Sequence, residues 1–367
     1  MVEKRMKRCR CEKKKIVAVV MIGFVVIVVT IVFFLRDNKN VFREQIARIV
    51  IANTLDGIEQ KVNGYFERVP SVLEASTAWL AQSGYRIRDV SALNAHFMPV
   101  LKRMRSVSGI IAADHAAHEY FLCSDAETWI SRSIDRTRFK DQVNFQRWDE
   151  RGEQISEWQE ESKYVPTDRP WFAGALQKIE TGEIFWTDAY TFSAKKKLGI
   201  SASQAIPYGK VKGNFIIIAI DVLLDDARAL IAKTSLSRRS LTALATSNGE
   251  FISSSRGEQR VYEDELAPPK KFMNGEEGVL LNIALGRLRS AGAEVKEDGF
   301  DLSMQGVRWW VAFRKLAVVD DNLVLLIAVP EDEVFAAARG NKMLRNFALM
   351  AVVGVLSLII LSIHLWK

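Results

Sequence analysis

The chain has 367 residues, with 51 Lys and Arg against 44 Asp and Glu and a formal net charge of +7. Residues 1–15 hold eight basic residues and two acids, which leaves 43 basic against 42 acidic residues for all the rest. The excess charge therefore belongs to a tail, and a nucleic-acid-binding body, which needs a basic face on a folded domain, is excluded. An apolar content of 49% and only 8 Pro exclude disorder as a description of the whole. Three cysteines exclude a disulfide framework.

The basic tail (1–15) runs into Ile16–Leu35, twenty residues without a charge. At about 1.5 Å per residue these span a hydrocarbon core of roughly 30 Å. The stretch is longer than a signal-peptide core and ends in Phe33-Phe34-Leu35-Arg36 rather than a cleavage site, so it reads as an uncleaved transmembrane helix. Lys and Arg before it hold the N-terminus in the cytoplasm. Phe347–Trp366 reads as a second span and returns the chain to the cytoplasm. Residues 36–346 then lie outside the inner (plasma) membrane, as an extracytoplasmic region of a two-pass protein. Cys9 and Cys11 sit beside the membrane, as acylation sites or inert thiols. Cys123 lies outside, and its small side chain suits a buried position.

Residues 36–79 read as a long helix leaving the membrane. Leu55, Ile58, Val62, Tyr65, Val69 and Val72 step by alternating threes and fours, a seam that Trp79 continues. It packs either on its own domain or on a second copy in a homodimer, and Pro70 should bend it. Two copies of one plan follow. Ile110–Ala113, a polar turn and Tyr120–Leu122 form a strand pair, matched later by Leu241–Ala245, Ser247-Asn248-Gly249 and Phe251-Ile252. Each copy closes on an apolar strand that meets an acidic helix start: Phe215–Ile220 with Asp221, and Leu323–Val329 with Glu331 and Asp332. The pattern predicts an α+β class with two modules, 80–235 and 236–340, joined by a helix over 224–233. Glu157, Glu160 and Glu161 read as a solvated helical face. Trp309 and Trp310 alternate between two core faces.

The candidate site lies in the first module, around Tyr164-Val165-Pro166-Thr167-Asp168-Arg169-Pro170-Trp171-Phe172. Pro170 keeps Arg169 extended, so Arg169 and Trp171 share a face. A guanidinium among rings suits a small anion, because its fork grips a carboxylate while the rings cover the apolar part. Trp186 and Tyr190 follow, and Asp221 could face an ammonium group. Alternatively, Arg169 pairs with Asp168 or Glu183, and Asp221 caps its helix. Asp114, His115, His118 and Glu119 could be metal ligands or an ordinary polar turn; the turn is the simpler reading, and no metal or cofactor is expected. Lys195–Lys197 reads as a solvated turn. The chain has no Gly-x-Ser-x-Gly elbow, no His-Glu-x-x-His and no phosphate loop, so no enzyme is expected.

Tyr164, Arg169, Trp171 and Phe172, four residues between the first two, resemble the Tyr–Arg-x-Trp-Tyr motif of the double Cache (dCache) sensor domains of prokaryotic receptors. Trp186–Phe192, Leu198–Ser203 and Gly213–Asp221 resemble the strands that follow it, and the likeness runs over about 37–340. The resemblance implies two tandem Cache (PAS-like) modules with antiparallel sheets, a long N-terminal helix and two flanking transmembrane helices. It places the ligand pocket in the membrane-distal module, 80–235, with 236–340 membrane-proximal. In the amino-acid-binding branch the Tyr and Arg hold a ligand carboxylate and aspartates hold its amine. Here Phe172 replaces a Tyr and Phe192 replaces an Asp, which makes a carboxylate or amide-bearing ligand as fitting as an amino acid. The implied function is a membrane-anchored sensor that binds a small carboxylate- or amine-bearing ligand through Tyr164, Arg169, Trp171, Phe172, Trp186, Tyr190 and Asp221. It would signal to a cytoplasmic partner, or to an output domain if the sequence is the input part of a longer product. The alternatives are an anchored extracytoplasmic hydrolase and an assembly scaffold without a ligand.

Overall fold

The computed structural model describes residues 39–104, 106–209, 211–232, 236–255, 276–291 and 299–339, together with Gly23. Both expected spans (Gly23 apart) lie outside the described residues, as do Cys9 and Cys11. Among the described residues no helix is long and apolar enough to cross a membrane.

The expected long helix is two helices, α1 (Lys39–Phe66) and α2 (Arg68–Ser83), interrupted at Glu67. Pro70 accounts for the position. It has no N–H for the Phe66 carbonyl, and its ring crowds that carbonyl, so the break falls just after Phe66 rather than at the proline. The apolar seam is covered by the chain itself: Leu55, Ile58, Val62 and Val69 are buried, and so are Phe66 and Leu73 beside them. Each such side chain contributes roughly 1.5–3 kcal/mol by leaving water. Helix α1 packs along β13 and β14, and α2 along β8 and β9, so the pair spans both sheets.

After α3 (Val90–Arg103) come β1 (Val107–Asp114), β2 (Glu119–Asp125), β3 (Thr128–Ile134), the turn α4 (Arg136–Phe139), β4 (Gln142–Trp148) and β5 (Gln154–Glu161). A 3-10 turn and α5 (Pro170–Gln177) lead into β6 (Phe185–Trp186), β7 (Tyr190–Thr191), β8 (Leu198–Pro207) and β9 (Phe215–Leu223). Helix α6 (Leu224–Ala232) then leads to β10 (Leu241–Thr246), β11 (Phe251–Ser254), α7 (Glu276–Ala291), β12 (Phe300–Met304), β13 (Val307–Lys315), β14 (Leu323–Pro330) and α8 (Glu331–Arg339), which make up the second module.

Two antiparallel sheets result. The first has the order β5-β4-β3-β2-β1-β9-β8-β6, with β7 also on β8; the second has the order β11-β10-β14-β13-β12. The run β2-β1-β9-β8 has the same plan as β11-β10-β14-β13, which is the repeat seen in the strand patterns. The three strands β3–β5 extend the first sheet only. Glu157, Glu160 and Glu161 lie on exposed β5, not on a helix. Their spacing imitates a helical face, but the ladder to β4 and the stack of Trp158 on Phe145, with centroids 5.4 Å apart, decide the strand.

A continuous core joins α1–α3 to one face of each sheet. The opposite faces differ. Helix α5 covers part of the first with Trp171, Phe172 and Ala175, whereas α7 covers the second with Leu280, Leu281, Ala284, Leu285 and Leu288. Trp309 and Trp310 are both buried and belong to different cores, as their alternation requires. Polar ties join the modules through α1 and the facing loops. Tyr65 Oη donates to the Leu223 carbonyl at 3.0 Å, and Asn322 Nδ2 donates to the Trp186 carbonyl at 2.9 Å. Arg314 on β13 donates to Asp56 Oδ1 at 2.8 Å and Glu59 Oε2 at 3.1 Å on α1.

Candidate functional site

The 3-10 turn Pro166–Asp168 delivers Arg169 in an extended conformation, φ −87° and ψ 143°, immediately before Pro170 begins α5. Proline suits that first helical position because its missing N–H has no partner there anyway. The chain therefore turns sharply, and Arg169 and Trp171 meet one narrow cavity of about 20 Å³. Ile111, Phe121, Arg132, Tyr164, Tyr190, Phe192, Ser193, Ala194 and Asp221 complete its lining.

Two guanidinium groups share the Tyr164 ring. The carbon at the centre of the Arg132 group lies 4.2 Å from the ring centroid and that of Arg169 lies 5.3 Å from it, while Arg169 also reaches Tyr190 at 5.5 Å. Such contacts hold an arginine in place without using up its charge. Arg132 comes from β3 and pairs with Glu119 on β2, both buried. Its Nε and Nη2 donate to Glu119 Oε1 at 3.0 and 2.5 Å. Burial opposes the Arg132 charge, but the Glu119 carboxylate outweighs it and raises the pKa above the ordinary value. Glu119 Oε2 is buried with no hydrogen-bond partner among the described residues. Burial, then the nearby Glu119 charge, pushes the Tyr164 phenol above its ordinary range.

Asp221, within β9 and three residues before α6, also lines the cavity. Ser201 Oγ on β8 donates to Asp221 Oδ1 at 2.6 Å, and Tyr190 Oη lies 2.7 Å from Ser201 Oγ. Burial raises the Asp221 carboxyl from 3.8 to about 7, against the lowering influence of Ser201, Arg132 and Arg169. Burial and the Asp221 charge likewise lift Tyr190 well above its ordinary value.

Of the residues expected from sequence, Tyr164, Arg169, Trp171, Tyr190 and Asp221 line this cavity; Phe172 and Trp186 do not. Phe172 turns into the core beside Trp171 and Phe215. Trp186 faces the opposite side of the sheet and meets Phe66 edge-on at 6.1 Å. Strand alternation explains this: its neighbour Phe185 lies so close to Gly174 that a Cβ there would stand 2.0 Å from the ring, so Trp186 must point the other way. Phe192 lines the cavity because Gly199 leaves room for it; a Cβ at Gly199 would stand 2.2 Å from its ring.

Arg132, Glu119 and Ser201 are additions that no local motif marks. The alternation of β3, in which Trp129 is buried and Ile130 packs on the opposite core, was the available signal for Arg132. Glu119 is not a turn ligand. Its neighbour His118 donates or accepts at 2.8 Å from Asp114 Oδ2, beside Arg88 and Asp135, which places the expected polar turn in an ion-pair cluster. Among the described residues no group of three or more His, Cys, Asp or Glu is placed to hold a metal. Cys123 is buried, and burial pushes its thiol to about 11.

No family model and no curated protein matches the chain. Among solved structures it is similar to the ligand-binding domain of the Campylobacter jejuni chemoreceptor Tlp3 in complex with 4-methylisoleucine, at 15% identity over 79% of this chain and 94% of that one, TM-score 0.47. It is also similar to the ligand-binding domain of Mlp24 with asparagine, at 16% identity over 79% of this chain and 98% of that one, TM-score 0.44. A third is the ligand-binding domain of the Pseudomonas aeruginosa PAO1 amino acid chemoreceptor PctC in complex with GABA, at 10% identity over 77% of this chain and 99% of that one, TM-score 0.49.

Proposed function

We propose that the chain is a membrane-anchored extracytoplasmic sensor whose first module binds a small carboxylate-bearing solute. The observation that carries this reading is the pair of guanidinium groups, Arg132 and Arg169, both against the Tyr164 ring, with Asp221 lining the same narrow cavity. A carboxylate entering there meets charged donors in a partly dehydrated space, where each charge-assisted bond is stronger than in water. The aromatic lining limits the ligand to a small body. Among the described residues no histidine or cysteine lines the cavity, and the Ser201 proton is directed at Asp221, so the groups present suit binding better than acyl transfer.

Signalling in this reading uses the route from the cavity to α1. Asp221 lies two residues before Leu223, whose carbonyl accepts the Tyr65 hydroxyl of α1. A ligand that draws β9 toward the guanidinium wall strains or relieves that bond, and α1 leads toward the first span. Only a difference in ligand affinity between two states can drive such a shift, typically worth about 1–3 kcal/mol. The reading includes two spans, residues 36–346 outside the membrane, a homodimer and a cytoplasmic partner or output domain. A thermal-shift and calorimetric screen of the purified protein against organic acids, amino acids, amines and purines tests it. Saturable binding without turnover is expected. Turnover of ester or peptide substrates would replace it with a hydrolase, and a stable protein partner with no small ligand would replace it with a scaffold.

A further inference from the structure

Each sheet has two edges, and those other than β5 are short. In the first sheet β6 has 2 residues, with β7 of 2 also on β8; in the second, β11 has 4 and β12 has 5. Strand β5 ends the first sheet beyond β4 and has 8 residues, all exposed except the half-buried Trp158. Among the described residues no strand pairs with its outer side. Such an edge offers a row of backbone N–H and C=O groups to a further strand. Shortness, Pro and Lys are common protections against that pairing, and β5 has none of them. The irregularity in its ladder lies at the turn end, between Arg147 and Trp148 of β4, so Ser156–Glu161 pair in regular register. None of the residues that line the cavity belongs to β4 or β5, so this edge is separate from the ligand site.

The side chains narrow the occupant. Strand β5 carries Glu157, Glu160 and Glu161 and no Lys or Arg, and the turn before it adds Glu150 and Glu153 to Arg151. Neutral donors leave the strand's charges in place: Glu157 accepts from Asn144 Nδ2 at 2.9 Å and Gln154 Nε2 at 3.3 Å, and Glu160 accepts from Trp158 Nε1 at 2.8 Å. Two copies of β5 laid together would bring like charges side by side, which is destabilising, so a second copy is a poor occupant. A strand rich in Lys and Arg reverses the sign of each contact. The Trp158 ring is stacked on Phe145 of β4 at 12° from parallel, which leaves its other face toward the open side. A guanidinium or ammonium group on an added strand can lie over that face. We propose that β5 is the docking edge for a basic, extended segment of another protein, which joins the first sheet as a further strand. Main-chain bonds supply the attachment, and the acids with Trp158 supply the selectivity. The first module then has two inputs, a small solute in the cavity and a protein segment on the edge.

The test is isothermal titration calorimetry on the full-length protein in detergent. The probes are end-blocked peptides of the length of β5: alternating Arg and Val, alternating Glu and Val, and the Arg–Val sequence with every amide N-methylated. The first should bind about tenfold or more tightly than either of the others, and should weaken as salt rises. Hydrogen–deuterium exchange should slow over Gln154–Glu161 when that peptide is added and stay unchanged around the cavity. Glu160→Lys combined with Glu161→Lys, which leaves the Glu157–Asn144 contact in place, should reverse the preference toward the Glu–Val peptide. Failure of the Arg–Val peptide to bind wild type overturns the proposal, and so does equal binding of the Glu–Val or the N-methylated peptide. A preference unchanged in the double variant also overturns it. Slowed exchange over β5 that grows with protein concentration alone does the same, since a second copy then occupies the edge. Each of these results leaves the carboxylate cavity standing.

Discussion

The two modules put opposite contents on equivalent positions of the same strand plan. Counted back from the helix that follows each strand, Asp221 of β9 matches Ala328 of β14. Asp221 pairs with Ser201 on β8, and Ala328 pairs with Val311 on β13. In the second module Ala328 and Val311 lie under α7 in an apolar core. In the first module the corresponding face is only partly covered by α5, and a buried acid and two arginines border a narrow cavity. A sheet face sealed by a helix yields stability. Leaving part of it uncovered yields a place where charges can be held short of full solvation. The fold supplies the platform in both modules, and the polar substitutions in one of them supply the chemistry.

Substitutions that exchange these contents should break the comparison, and the largest effect is expected from Ala328→Asp. It would bury a carboxylate under α7 with Val311 in place of a serine, costing several kcal/mol, on the order of 4 or more. Urea denaturation should show loss of the native state or a strongly lowered midpoint. Arg132→Ala follows, because it strands the Glu119 carboxylate in the first module; about 3–5 kcal/mol should be lost. By contrast, Arg308→Ala, which removes a half-exposed pair with Asp301 in the second module, should change stability by less than about 1 kcal/mol.

Asp221→Asn sharpens the comparison through pH. The folded-state carboxyl is raised from 3.8 to about 7, so the folded protein binds the extra proton. Wild-type stability should therefore be greatest below about pH 4 as far as this group is concerned, and should fall as pH rises to 7. The loss is roughly 4 kcal/mol in all. The variant should lack this slope and exceed wild type above pH 7, as read from thermal midpoints across pH. The smallest effect is expected from Tyr65→Phe, which deletes the hydroxyl that α1 offers to the Leu223 carbonyl. It should cost about 1 kcal/mol and weaken the ligand-dependent change in crosslinking between α1 helices, with ligand affinity kept within a few fold.

Much of this plan was legible in the chain. Apolar strand pairs separated by polar turns announced the repeat, and the alternating threes and fours of α1 announced its buried face. Arg169, Trp171 and Asp221 were visible because a proline, a ring cluster and an acid at the end of an apolar strand are local signals. Arg132 and Glu119 were not, since each looks ordinary in its own strand and only the β2–β3 register brings them together. The strand β5 was misread because acids spaced by three and four imitate a helix, while its pairing to β4 is a tertiary fact. Trp186 was assigned to the cavity from its type, and only the closeness of Phe185 to Gly174 shows which way it faces.

The central claim is that the Arg169 guanidinium captures a small carboxylate inside the first module. Calorimetry with wild type and Arg169→Ala, on a carboxylate that the screen identifies, measures it directly. A loss of about 10- to 150-fold in affinity, with the thermal midpoint of the ligand-free protein nearly unchanged, is the predicted result. Equal affinity in the two proteins would contradict it.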